Sequence, residues 1–193
     1  VDSSDGADLV SIRDLAIDTT VNTYQGKDRV SIHNAPDAKT LTVNLMGGDD
    51  EVRLQESGAD AVIDINGGED SDIFYIGGVY AGSSTTLSGG ELDDTFYVDG
   101  TGLGQDTGIE PEPPIGLVIH GDVQSNGQVN DDRLVLDFKG PVMPPEFEIQ
   151  APRPDGWVAV PGFKAVDYDS IEFVDGIGGP SASAGDSEYS IAE

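Results

Sequence analysis

Apolar and polar residues alternate in short runs along most of the chain, and the runs recur at a fixed interval. An Asp is followed by apolar residues two and four positions later. Asp8 leads Val10 and Ile12, Asp28 leads Val30 and Ile32, and Asp50 leads Val52 and Leu54. Asp72 leads Phe74 and Ile76, Asp94 leads Phe96 and Val98, Asp132 leads Leu134 and Leu136, and Asp169 leads Ile171 and Phe173. Successive Asp lie 20, 22, 22, 22, 38 and 37 residues apart. A second apolar run ends two residues before a Gly: Leu41-Val43-Leu45 before Gly47, Ile63-Ile65 before Gly67, Leu87 before Gly89, Leu117-Ile119 before Gly121. A period of two marks strands. Each repeat is therefore expected to hold two short strands with a Gly- and Asp-rich turn between them.

Two strands and two turns in 20–22 residues predict one coil of a parallel β-solenoid, an all-β fold. A coil cannot bury its apolar face alone, but stacked coils about 4.8 Å apart can. Positions two and four after each Asp should point inward and form ladders. Positions one and three should face outward, where Arg29, Glu51, Arg53, Thr95 and Arg133 stand and where Tyr75 and Tyr97 should stack. An antiparallel sandwich gives no reason for the turn sequence to repeat every 22 residues.

The last third breaks the rhythm. The longer steps imply insertions at 101–114 and 140–162, both rich in Pro, which cannot donate to a ladder and so suits loops leaving the stack. Trp157, in the second insertion, is expected to cap the stack. The expected domain spans 6–175, with regular coils over 6–100 and interrupted coils over 101–175. Residues 176–193 read as a flexible Gly/Ser linker. The first residue is Val rather than Met, as in a processed chain or a piece of a longer one.

Composition sharpens this picture. The 193 residues carry 37 acids, 26 of them Asp, against 9 Lys and Arg, for a formal charge of −28. Such a charge repels nucleic acid. No apolar run approaches the roughly 18 residues of a membrane span. Cys is absent and His numbers 2, which leaves little for thiol chemistry or for zinc and copper. Asp and Gly together favour turns, whereas Glu would favour helices.

In-register stacking would place Asp28, Asp50, Asp72 and Asp94 in one column. Unit charges 4.8 Å apart repel by roughly 1 kcal/mol in water and by about 3–4 kcal/mol at an effective dielectric of 20. Either the turns splay into water or a cation sits among them. Calcium is the expected ion, because it takes six to eight carboxylate, carbonyl or water oxygens. Its candidate ligands are Asp28, Asp49, Asp50, Glu69, Asp70, Asp72, Asp93, Asp94, Asp131 and Asp132. Short turns in which Asp bonds nearby backbone N–H groups are the alternative.

Residues 67–75, Gly-Gly-Glu-Asp-Ser-Asp-Ile-Phe-Tyr, and 89–97, Gly-Gly-Glu-Leu-Asp-Asp-Thr-Phe-Tyr, resemble the hemolysin-type calcium-binding nonapeptide G-G-x-G-x-D-x-U-x. Asp70 and Leu92 stand where its third Gly belongs, and 47–52 looks like a shortened copy. The resemblance implies a parallel β-roll with calcium between turns, and secretion. Only one half of each coil carries the motif, so the chain looks more like degenerate repeats of large bacterial surface proteins and adhesins.

These features point to a non-enzymatic, calcium-stabilised structural or adhesive module, extracellular or at the cell surface. Its expected partners are calcium, other copies or domains of the same protein joined end to end, and surface glycans, for which Tyr75, Tyr97 and Trp157 are available. Nucleic acid and membrane insertion are not expected. The alternatives are a polysaccharide-acting β-helix enzyme and a glycan-binding module. For catalysis, Arg13, Arg29, Arg53 and Arg133 suit ion pairing better than proton abstraction, and His33 and His120 have no companion motif. Ice binding would need Thr rows, and Thr19, Thr20, Thr40, Thr42, Thr85 and Thr86 look scattered.

Overall fold

In a computed structural model the described residues are 1–35, 37–80, 82–99, 102–103, 115–121, 131–137, 148–150, 156–159, 165–177 and 188–190. They are all-β, with no helix among them. Odd-numbered strands in the regular region form one sheet: β1 (Leu9–Ile12), β3 (Arg29–Ile32), β5 (Glu51–Leu54), β7 (Ile73–Ile76), β9 (Thr95–Asp99) and then β11 (Arg133–Asp137) and β15 (Phe173–Ile177). The other sheet holds β2 (Thr19–Asn22), β4 (Thr40–Gly47), β6 (Val62–Glu69), β8 (Ser84–Gly90), β10 (Ile115–His120) and β14 (Ala165–Asp169). All neighbours within these two sets are parallel, as in the parallel β-helix class.

The register follows the repeat. Val30 pairs with Val52, Val52 with Phe74, and Phe74 with Phe96. Leu41, Ile63 and Thr85 form a matching file in the second sheet. The inward residues of both sheets make one buried cluster, because side chains of equal parity along a strand share a face. Within it Phe74 and Phe96 stack with ring centroids 4.7 Å apart. On the outer face Tyr75 and Tyr97 stack at 5.0 Å, and Arg53 lies over Tyr75, 4.3 Å from its ring centroid.

Several expectations need correction. The last repeat is not anchored on Asp169, which ends β14. Glu172 stands in the place of Asp132, and Val174 pairs with Leu134. Part of the second insertion returns to the sheet rather than leaving it. There β12 (Glu148–Gln150) and β13 (Gly156–Ala159) pair antiparallel, and β13 joins β14. Trp157 lies in β13 with Asp167 and Gln150 as register neighbours, so it belongs to the added strands at that end. Within the expected linker, β16 (Glu188–Ser190) pairs antiparallel with β15. The first insertion lies largely outside the described residues. Thr20 and Thr42 share one outward column with Thr86, interrupted by Asp64, so these three Thr are in register after all.

The turn at 47–52 is not shortened. Asn44 falls in register with Asn66, Met46 with Gly68 and Gly47 with Glu69, so the Gly pair of that repeat is displaced by two residues within a turn of constant length. Four successive turns each contain two left-handed backbone positions, two residues apart. They are occupied by Tyr24 and Gly26, Met46 and Gly48, Gly68 and Asp70, and Gly90 and Leu92. Each of these four turns thus has Gly at one of the two positions and an ordinary residue at the other.

Candidate functional site: a buried aspartate ladder

The turn between the sheets sets a column of carboxylates. Asp28, Val30 and Ile32 have equal parity, so the Asp points to the same side as the core residues. Asp28, Asp50, Asp72, Asp94 and Asp132 are accordingly buried, each 0–2 % exposed. Each offers Oδ1 to the backbone N–H of the residue one rung earlier. Asp8 N–H donates to Asp28 at 2.7 Å, Asp28 to Asp50 at 2.6 Å, and Asp50 to Asp72 at 2.8 Å. Asp72 donates to Asp94 at 2.7 Å and Asp94 to Asp132 at 2.7 Å; the series ends with Asp132 donating to Glu172 Oε2 at 3.0 Å.

The second oxygen is less well served. Oδ2 of Asp28, Asp50 and Asp72 is buried with no hydrogen-bond partner. In the later repeats this oxygen lies against glycine: a Cβ on Gly67 would overlap Asp72 Oδ2, and one on Gly89 would overlap Asp94 Oδ2. Gly67 and Gly89 therefore make room for the carboxylate five residues later. An ionised oxygen buried without a partner is costly, so at Asp50 and Asp72 the proton is held more tightly. Desolvation pushes Asp50 up to about 7 and Asp72 up to about 8 from 3.8, against the lowering effect of the N–H each accepts. Glu172 moves the same way, chiefly through burial.

The ten expected calcium ligands thus fall into two sets. Asp28, Asp50, Asp72, Asp94 and Asp132 are the buried rungs. Asp49, Glu69, Asp70, Asp93 and Asp131 are exposed along the outside of the same edge. Asp93 accepts the Asp131 N–H at 3.0 Å, and Asp49 faces Lys27 Nζ at 3.8 Å. Calcium needs six to eight oxygens around it. Each rung has one oxygen already bonded to N–H, and at Asp28, Asp50 and Asp72 the second oxygen is buried without a partner. Among the described residues no three acidic or His side chains are grouped as a metal would require.

The other candidates are held in surface contacts. Arg29 and Arg53 both reach Glu51, and Arg133 reaches Asp175 at 3.3 Å. His33 sits between Arg13 and Gln55, one ring nitrogen against each. His120 Nδ1 lies 2.7 Å from Asp169 Oδ2 on the outer face of the second sheet. Sequence reading missed that pair because the partners are 49 residues apart. It placed the Asp column on one edge, either splayed into water or around a cation, although the parity with Val30 and Ile32 was there to be read.

Comparison with known proteins returns no match: no family model, no curated protein and no solved structure aligns with the chain.

Proposed function

We propose that the chain is a non-enzymatic structural module of a secreted or cell-surface repeat protein. In this reading the two parallel sheets close into a β-solenoid, with coils of 20–22 residues pinned along one edge by the aspartate ladder. The observation that carries it is the unbroken series of Asp-to-Asp hydrogen bonds through five successive repeats and across a 38-residue step. The buried carboxylates are occupied in holding one repeat to the next. The absence of Cys and the excess of acid suit a module outside the cell that needs no disulfide.

The outer faces support the same reading. Tyr75 has Arg53 on one ring face and Tyr97 on the other. Tyr97 is followed in register by the buried Val135. The stack therefore presents ring edges outward, whereas a sugar needs a ring face. Incubation with polyuronates and neutral glycans tests the proposal. No unsaturated or hydrolysed product is expected, and product formation lost on changing His120 to Ala would replace the module reading with an enzymatic one.

A further inference from the structure

We propose that the Asp50 and Asp72 rungs of the aspartate ladder take up hydrogen ions as the chain folds and work as an acid lock, closing the stack at low pH and loosening it as the pH rises. The inference stands on geometry that the module reading does not use. Asp28, Asp50 and Asp72 are consecutive rungs, each nearly devoid of solvent contact. Each has one oxygen fixed by an N–H and one oxygen buried without a partner. A proton can sit on such an oxygen with no further ligand, whereas calcium takes six to eight oxygens. The carbonyl oxygen of Gly89 lies beside the same point of Gly67 that Asp72 Oδ2 faces, and offers a polar neighbour there.

The surrounding charges favour protonation. Asp50 feels Asp28 and Asp49, and Lys27 opposes them. Asp72 feels Asp50, Asp49 and Asp70. Farther along the column, Asp93 and Asp131 face Glu172. Glu69 and Glu91 are exposed in the same turns. Lys27 is drawn to Asp49, while Arg29 and Arg133 point to the outer face and pair with Glu51 and Asp175. Little positive charge therefore reaches the rungs.

The direction of the pH effect follows from linkage. In the unfolded chain these carboxyls titrate near 3.8, and in the folded chain Asp50 and Asp72 titrate near 7 and 8. Between those limits the folded state binds more protons, so stability falls as pH rises. The contribution is complete below about pH 4 and is lost as pH passes through 7 to 8.

Urea unfolding from pH 5 to pH 8, with chelator present, tests this. The unfolding constant of the wild type should rise by up to about 10-fold per pH unit for each protonated rung. Asp72→Asn keeps the oxygen that accepts the Asp50 N–H and removes one titration. It should lose about one proton from the pH slope and be more stable than wild type at pH 8. Asp64→Asn, an exposed change on β6, should keep the wild-type slope. Wild-type stability that is flat or rises from pH 5 to pH 8 would overturn the proposal, as would an unchanged slope in Asp72→Asn. If the Asn variant does not fold, carboxyl carbon resonances of the wild type decide. Midpoints above 6 for Asp50 and Asp72 are expected, and midpoints below 5 for both would refute the lock.

Discussion

The backbone N–H of Asp94 donates to the carboxylate of Asp132 at 2.7 Å, although 38 residues separate them. Asp50 and Asp72 make the same bond at 2.8 Å across 22 residues. The inserted residues therefore leave the rung unchanged: β9 and β11 pair in the same register as their predecessors, with Phe96 beside Leu134. Loop closure grows only slowly with length, at about 0.6 kcal/mol per doubling, so one long connection costs little compared with a lost rung. Asp132→Ala should cost more than that. Loss of a buried bond from N–H to carboxylate is worth about 1.5–3 kcal/mol, reduced by whatever the buried acid itself costs. Urea melts of the variant beside the wild type measure the penalty.

Gly67 is needed for the space it leaves. A Cβ there would overlap Asp72 Oδ2 and the carbonyl oxygen of Gly89. Gly67→Ala should destabilise the chain by about 2–4 kcal/mol, the range of an overpacked core site with a displaced buried polar group. Gly6→Ala meets nothing within 4 Å and carries only the strain of a positive φ of 116°. Its cost should stay near 1 kcal/mol. Thermal melts of the two variants side by side check the contrast.

Leu92 holds a left-handed conformation with φ of 76°, at the turn position that Gly48 fills two repeats earlier. Its side chain is largely exposed, so little packing is at stake. Leu92→Gly should raise stability by about 1 kcal/mol by relieving the Cβ clash of that conformation. A lower melting temperature would show that Leu92 has a contact that outweighs the strain.

The two aromatic stacks should differ in energy. Phe74→Ala empties a fully buried site against Phe96 and is expected to cost about 3–5 kcal/mol. Tyr75→Ala removes an outer ring between Arg53 and Tyr97, with an expected cost of about 1 kcal/mol from stacking and cation–π contact. Equal costs would mean that the outer stack, too, is part of the core packing.

Divalent cations separate proton from metal at the acidic edge. Calcium and magnesium at equal concentration should raise the melting temperature alike, because both act on the exposed acids by screening a chain of charge −28. A rise specific to calcium, saturating below 1 mM, would show a calcium site at the acidic edge. The proton lock would then have to give way.

Strand positions, their pairing in space and the direction of the core residues were legible in the chain, because alternation and a 22-residue interval leave one parallel register that buries Val30, Val52, Phe74 and Phe96 together. Parity even held the clue that the leading Asp turns inward, but a carboxylate is expected in water until a backbone N–H is seen to meet it. That N–H belongs to the neighbouring repeat, so only the stacked structure supplies it. The same holds for Gly67, whose role depends on where Asp72 lies, and for Glu172, whose place as the last rung depends on which strand reaches β11 across 40 residues. Local pattern fixes what each segment can become. Which oxygen is left buried and unpaired is decided between segments, and from that the acid response of this protein follows.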